Sequence, residues 1–260
     1  MTVAAAVPIV VTRPDGQAGG LIAELSARGF PVRHHPLIEI VPLADDEQAV
    51  ASGLRQRILD IDHYTAVIAI SMNAAAIGLD WLDRYWPQPP LGIHWCAVGP
   101  STAEVLQREG FSVHSPVTTY DSEGLLELPV MQSDVIGGRK VLLWRGVGGR
   151  EKLASELTAR GAEVDYAELY ERREIAWSAQ QWADTLAGEP VLLLSSNQAL
   201  DIVEQQVPDL AQRVSAIMLP GERVAAAARS RGYREVLVTA SARDEDMLAC
   251  LQQWQPSGRQ

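Results

Sequence analysis

The sequence predicts an α/β protein of two duplicated domains with parallel, doubly wound (flavodoxin-like) sheets joined by a two-stranded linker. Three observations predict it: short apolar runs alternate with helical patterns, several runs are apolar throughout, and part of the chain repeats. The runs are VPIVV at 7–11, YTAVIAI at 64–70, HWCAVG at 94–99, KVLLW at 140–144, PVLLLS at 190–195, VSAIML at 214–219 and EVLVT at 235–239. Unbroken apolar runs suit strands covered on both faces, as in a parallel sheet. Helical patterns lie between them at 18–28, 102–109 and 151–160, and each is followed by a glycine, Gly29, Gly110 or Gly161, suited to a left-handed C-terminal position.

The repeat relates 12–37 to 144–169. Arg13 aligns with Arg145, 132 positions on, and the same shift carries Gly16, Leu21, Glu24, Leu25 and the Ala27-Arg28-Gly29 triplet onto identical residues. SMNAA at 71–75 resembles SSNQA at 195–199, pairing Ser71 with Ser195 and Asn73 with Asn197, and VGPSTAEVLQREGF at 98–111 resembles PGERVAAAARSRGY at 220–233. The stretches HPLIEIVPL at 35–43 and AELYERREI at 167–175 read as extended connectors. If each passes between domains, they form a two-stranded hinge beside a cleft, a favoured place for a ligand.

The chain of 260 residues exceeds one average domain of about 150 residues. With 47% apolar and 21% charged residues it can bury a sizeable core. A net charge of −11 argues against a nucleic-acid binder and against adhesion to an anionic membrane. No apolar stretch approaches the roughly 20 residues of a membrane span, and the apolar N-terminus lacks a basic segment, so it reads as a strand. Cys96 and Cys250 show neither metal-ligand spacing nor a disulfide framework, as expected of a cytoplasmic protein.

The chemistry-bearing candidates follow strands. In SMN, VGPST and SSN, the residues Ser71, Asn73, Gly99, Ser101, Thr102, Ser195, Ser196 and Asn197 offer hydroxyl, amide or backbone N–H donors at helix starts, where α/β sheets bind anions. The same residue types serve equally as helix N-caps. Arg13 and Arg145 can each hold a carboxylate through two parallel hydrogen bonds, or can form an internal ion pair; Arg150 is a third guanidinium nearby. RGVGGR has Glu151 where a dinucleotide-binding glycine pattern needs glycine, and no G-K-[ST] follows. The phenol of Tyr170 can donate a hydrogen bond to a departing hydroxyl without adding charge. His34 and His35 are adjacent and point to opposite faces of a strand, so they make poor joint ligands.

The ordered set VTRP (11–14), PLIEI (36–40), ISMNAA (70–75), AVGPSTAEVL (97–106), DSEGLL (121–126), LLWRGVGGREKLASEL (142–157), ELYERR (168–173) and LLSSNQ (193–198) resembles the uroporphyrinogen-III synthase family over nearly the whole chain. The resemblance implies a discontinuous domain of residues 1–37 and 172–260, an inserted domain of 41–168, and linker strands at 38–40 and 169–171. It implies cyclisation of hydroxymethylbilane, a linear tetrapyrrole octacarboxylate, to uroporphyrinogen III with inversion of ring D, loss of water and no cofactor. Tyr170 matches the family's tyrosine and would assist departure of the hydroxyl, while Arg13, Arg145 and the three turns would hold carboxylates. A monomer is expected, with the preceding pathway enzyme as a conceivable partner. The sequence departs from the family pattern at PGERVA (220–225), where Arg223 and Val224 replace small hydroxyl residues. A non-catalytic two-lobed binding protein is the alternative that the same architecture leaves open.

Overall fold

The computed structural model describes residues 7–149 and 151–254. Eleven strands occur in this order: β1 (Ile9–Val11), β2 (Val32–His34), β3 (Ile38–Pro42), β4 (Ala66–Ala69), β5 (His94–Ala97), β6 (Val113–His114), β7 (Lys140–Gly146), β8 (Glu163–Glu174), β9 (Val191–Leu193), β10 (Ala216–Pro220) and β11 (Val236–Thr239). All seven apolar runs are strands, and the parallel pairing expected of them is observed. The three glycines that follow the helices have φ of 82°, 85° and 90°, a region costly for any residue with a Cβ.

The chain divides into two compact units. One comprises residues up to Glu39 and from Arg173 onward; the other is Ile40–Arg172. The first holds a sheet ordered β11-β10-β9-β1-β2 and the second a sheet ordered β3-β8-β7-β4-β5-β6. Both connectors are strands: the divisions fall within β3 and β8, which are neighbours in the second sheet. Leu43 donates its N–H to the Leu169 carbonyl at 2.8 Å and Ile175 to that of Leu37 at 3.0 Å, so these two strands run antiparallel, unlike the rest.

Each sheet is covered on both faces, and the strand alternation divides its side chains. In the first unit, Ile9, Val11, Val191, Leu193 and Met218 pack with Leu21 and Leu25 of helix Gly19–Ala27 and with Met247 and Leu251 of helix Asp244–Gln253. Val10, Leu192, Ile217 and Leu219 face the opposite cluster with Trp182, Leu200 and Val203. In the second unit, Ile68, Cys96, Val141 and Leu143 point to one side, and Val67, Trp95, Leu142 and Trp144 to the other. The order β2-β1-β9-β10-β11 in the first unit matches β8-β7-β4-β5-β6 in the second, and the repeated segments follow or overlap the equivalent strands β1/β7, β2/β8, β9/β4 and β10/β5.

One close contact in each unit sets the local packing. In the second unit, helix Met72–Tyr85 lies directly on Trp144, because a Cβ at Gly78 would fall 2.1 Å from the indole Cε3. In the first unit, His35 is buried between Trp177 and Trp182, with ring centroids 4.1 and 4.2 Å away, and its Nδ1 lies 3.0 Å from the Thr185 hydroxyl. Burial, with help from neighbouring His34, lowers its pKa from 6.5 to about 4.

Gly78→Ala is expected to cost about 1–3 kcal/mol through overpacking, read as a lowered midpoint in a denaturant titration; an unchanged midpoint would contradict this packing. As pH falls from 6.5 toward about 4 the unfolded chain protonates His35 before the folded one does, so stability is complete above 6.5 and declines through that window. An NMR titration should place the His35 imidazole near the lower value.

Candidate functional site

The carboxyl ends of β4 and β5 in the second unit open onto the turns that carry Ser71, Asn73, Gly99, Ser101 and Thr102. Ser71 is the N-cap of helix Met72–Tyr85, and its Oγ accepts the Ala74 N–H at 3.1 Å. Asn73 lies in that helix's first turn. Gly99 is the N-cap of helix Pro100–Arg108, with Ser101 exposed and Thr102 buried in the first turn; the Gly99 carbonyl accepts from Thr102 and Ala103.

Tyr170 reaches this edge from β8. Opposite Arg145 and Gly146 the pairing of β7 with β8 slips, so that Arg145 pairs with Glu168 and Gly146 with Tyr170. Such a bulge breaks the two-residue alternation, and consecutive Leu169 and Tyr170 both enter the core, each with no exposed surface. Gly146 makes room: a Cβ there would fall 2.7 Å from Tyr170 Cε2. The ring that the sequence predicts facing a cleft is therefore inside the second unit, and its hydroxyl lies 3.1 Å from Ser71 Oγ. Either hydroxyl can donate in this pair; with Tyr170 as donor, Ser71 Oγ gives the buried phenol the acceptor it needs. In that arrangement Ser71 Oγ accepts from both Tyr170 and Ala74, and the half-buried serine has its own proton for a further partner.

The two arginines take the internal pairing that the sequence left open. Arg145, with a side chain 3% exposed, contacts Glu151 at 3.0 Å, the Gly146 carbonyl at 3.3 Å, Glu168 at 3.8 Å and the Gly149 carbonyl, and stacks 4.5 Å from the Tyr166 ring centre. The Tyr166 hydroxyl and Arg145 together hold the Glu151 carboxyl below its usual range. Arg13 bonds Asp244 and the Ala242 carbonyl and lies 3.3 Å from Met247 Sδ. Arg145 braces the turn after its own strand, whereas Arg13 ties the residue run after β1 to the start of helix Asp244–Gln253. Arg150 lies outside the described residues.

In the first unit Ser196, and not Ser195, caps helix Asn197–Gln206, accepting from Ala199 at 3.1 Å. The structural counterpart of Ser71 is therefore Ser196, one residue beyond the pairing read from sequence, where two adjacent serines made the register ambiguous. The Asn197 amide donates to Asp201 at 2.7 Å. Gly99 and Gly221 cap corresponding helices, as their alignment predicts. Val224 packs against the core and Arg223 is exposed, so neither supplies the hydroxyl found in the family pattern. The 132-residue shift places Ile38 where Tyr170 stands, so the phenol–serine pair has no counterpart in the first unit.

Two concavities in the second unit measure about 180 and 260 Å³, and the smaller is lined in part by Val147, which follows β7. The smaller includes Leu43, Asp46, Arg57, Tyr166 and Glu168, and the larger includes Arg57, His63, Tyr64, Lys140 and Asp165 at the amino-terminal edge of the sheet. Neither is lined by the turns that carry Ser71 and Gly99.

The family description Uroporphyrinogen-III synthase HemD matches residues 20–249. The chain belongs to the uroporphyrinogen-III synthase family. The family's protein from Salmonella typhimurium is 32% identical over 253 residues, covering 94% of this chain and 99% of that protein. That of Escherichia coli is 30% identical over 254 residues, with shares of 94% and 99%. Among solved structures of the family, uroporphyrinogen-III synthetase from Helicobacter pylori has a TM-score of 0.60 at 17% identity, over 95% of this chain and 97% of that one. A mutant uroporphyrinogen III synthase from Thermus thermophilus gives 0.58 at 14%, over 96% and 100%. At those identities the likeness is one of fold, here two α/β domains with parallel sheets. Among the described residues no helix is long and apolar enough to cross a membrane.

Loss of the Ser71 cap by Ser71→Ala should cost about 0.5–2 kcal/mol, plus the cost of stranding the Tyr170 hydroxyl. A double-mutant cycle with Tyr170→Phe should give a coupling of about 0.5–1.5 kcal/mol; strict additivity would mean that the two hydroxyls do not interact.

Proposed function

We propose that the chain is a hydro-lyase that closes hydroxymethylbilane to uroporphyrinogen III, inverting ring D with loss of water. The match of residues 20–249 to the family carries this reading, and the geometry of Ser71 supports a role for it. Tyr170 orients Ser71, whose remaining proton is directed to the departing hydroxyl. The hydroxyl leaves with a proton as water and an azafulvenium-like cation remains. Ring D attacks this cation through its substituted α-carbon to give a spiro-type intermediate. The bond from that carbon to its original bridging methylene then breaks, and the methylene rejoins ring D at its free α-carbon. Loss of the proton there gives the closed ring with ring D inverted. Tyr170 is thus a positioning residue, acting through Ser71.

The turns at 71–73 and 99–102 hold acetate and propionate groups of the substrate through first-turn amides and hydroxyls; the turn at 195–197 in the first unit offers donors of the same kind. The overall charge of −11 does not oppose this, because screening over about 8 Å leaves the local lining to decide. The linear substrate cyclises unaided without inversion, so the protein's main task is to select the carbon attacked, one of positioning. Both cysteines are free thiols, which supports work in the reducing cytoplasm.

Purified protein incubated with freshly generated hydroxymethylbilane, followed by oxidation and separation of the isomers, should yield isomer III; isomer I alone would end this reading. Tyr170→Phe should remain folded and lower the rate of isomer III formation by about tenfold or more, within the 10²–10⁴-fold span of proton-transfer assistance or just below it. An unchanged rate would remove Tyr170 from the mechanism.

A further inference from the structure

Seven large apolar side chains are exposed among the described residues. Four of them follow strands of one sheet: Met72 follows β4, Val117 and Tyr120 follow β6, and Val147 follows β7. The order β7-β4-β5-β6 sets them along the carboxyl edge that carries Ser71 and Gly99. Apolar side chains and polar turns interleave there: Met72 adjoins the Ser71 cap, and a Cβ built on Gly99 would lie 3.6 Å from Tyr120 Cβ.

Tyr120 is 52% exposed, yet its loop is firmly held. Its hydroxyl lies 3.3 Å from the Val117 carbonyl. Asp121 caps the next helix by accepting from Glu123 at 3.0 Å and Gly124 at 2.9 Å. The backbone at Gly124 approaches so closely that a Cβ would fall 2.0 Å from the Thr119 carbonyl oxygen. An aromatic ring presented to solvent on a fixed loop loses little entropy on meeting a ligand.

We propose that Tyr120 is a substrate-specificity residue whose ring packs against a pyrrole of the linear tetrapyrrole while the neighbouring turns hold its carboxylate arms. The inference rests on the function proposed for the Ser71 turn. The substrate's chemistry matches the edge: flat apolar rings bearing short anionic arms require apolar contacts and N–H or O–H donors in alternation. Carboxylate recognition alone gives no reason to expose Met72, Tyr120 and Val147 beside the donors. An aromatic contact contributes about 0.5–1.5 kcal/mol beyond area burial, equivalent to about a two- to tenfold change in affinity.

The test uses the full chain and freshly generated hydroxymethylbilane. Tyr120→Ala and Tyr120→Leu should raise KM about three- to tenfold with kcat nearly unchanged, the signature of lost uniform binding. Tyr120→Phe should retain the wild-type KM. Melting temperatures check that the variants are folded, and sedimentation checks their oligomeric state. If wild-type protein makes isomer III and Tyr120→Ala leaves KM unchanged, the inference fails while the function stands. If all three variants raise KM alike, the hydroxyl matters rather than the ring face, and the inference also fails. A change in oligomeric state without a change in KM would make this edge a docking surface and overturn the proposal. Failure of the wild-type protein to make isomer III would instead overturn the function on which it rests.

Discussion

The slip between β7 and β8 is the constraint on which the candidate site depends. Without it, strand alternation would send Leu169 and Tyr170 to opposite faces of the sheet. With it both enter one core, and the phenol meets the cap of the neighbouring helix. Two glycines make the arrangement sterically possible: Gly146 leaves space for the Tyr170 ring, and Gly78 lets the helix behind Ser71 settle on Trp144. Neither glycine carries chemistry, yet each governs where a hydroxyl points.

Duplication separates scaffold from chemistry. What the two copies share, such as Arg13 and Arg145 at the carboxyl ends of equivalent strands, is engaged internally: each guanidinium is held by carboxylate and carbonyl groups of its own unit. What they do not share, Tyr170 against Ile38, separates a hydrogen-bonding cap from a plain one. An identical residue in both halves is a sound guide to shared architecture and a weaker guide to the reacting group.

The central strands were legible because burial on both faces leaves uninterrupted apolar runs, and helix ends were legible because glycine alone takes their backbone angles cheaply. β2 and β6, three and two residues long, are too short to leave a periodic signal, and β3 and β8 have mixed character that read as connectors. The turns at Ser71 and Gly99 were found from their residue types, whereas choosing between Ser195 and Ser196 required knowing where the helix begins. The burial of Tyr170 follows from a one-residue slip between strands distant from Ser71 in sequence, and no local pattern encodes it. Tyr120 was missed because an exposed aromatic in a short loop looks like any other until its neighbours along the sheet edge are known.

The shared strand order has a consequence for synthesis. The second unit is one continuous stretch, so its whole sheet can assemble once residues through 172 have emerged. The first cannot: β1 sits between β2 and β9, and the Thr12 hydroxyl bonds the Leu193 carbonyl 181 residues away. An amino-terminal strand of three apolar residues must therefore wait, unpaired on one side, while the inserted unit is made and folds. Because the insert's ends leave through the adjacent strands β3 and β8, its folding draws the waiting segment toward its late partners and shortens the loop that must close.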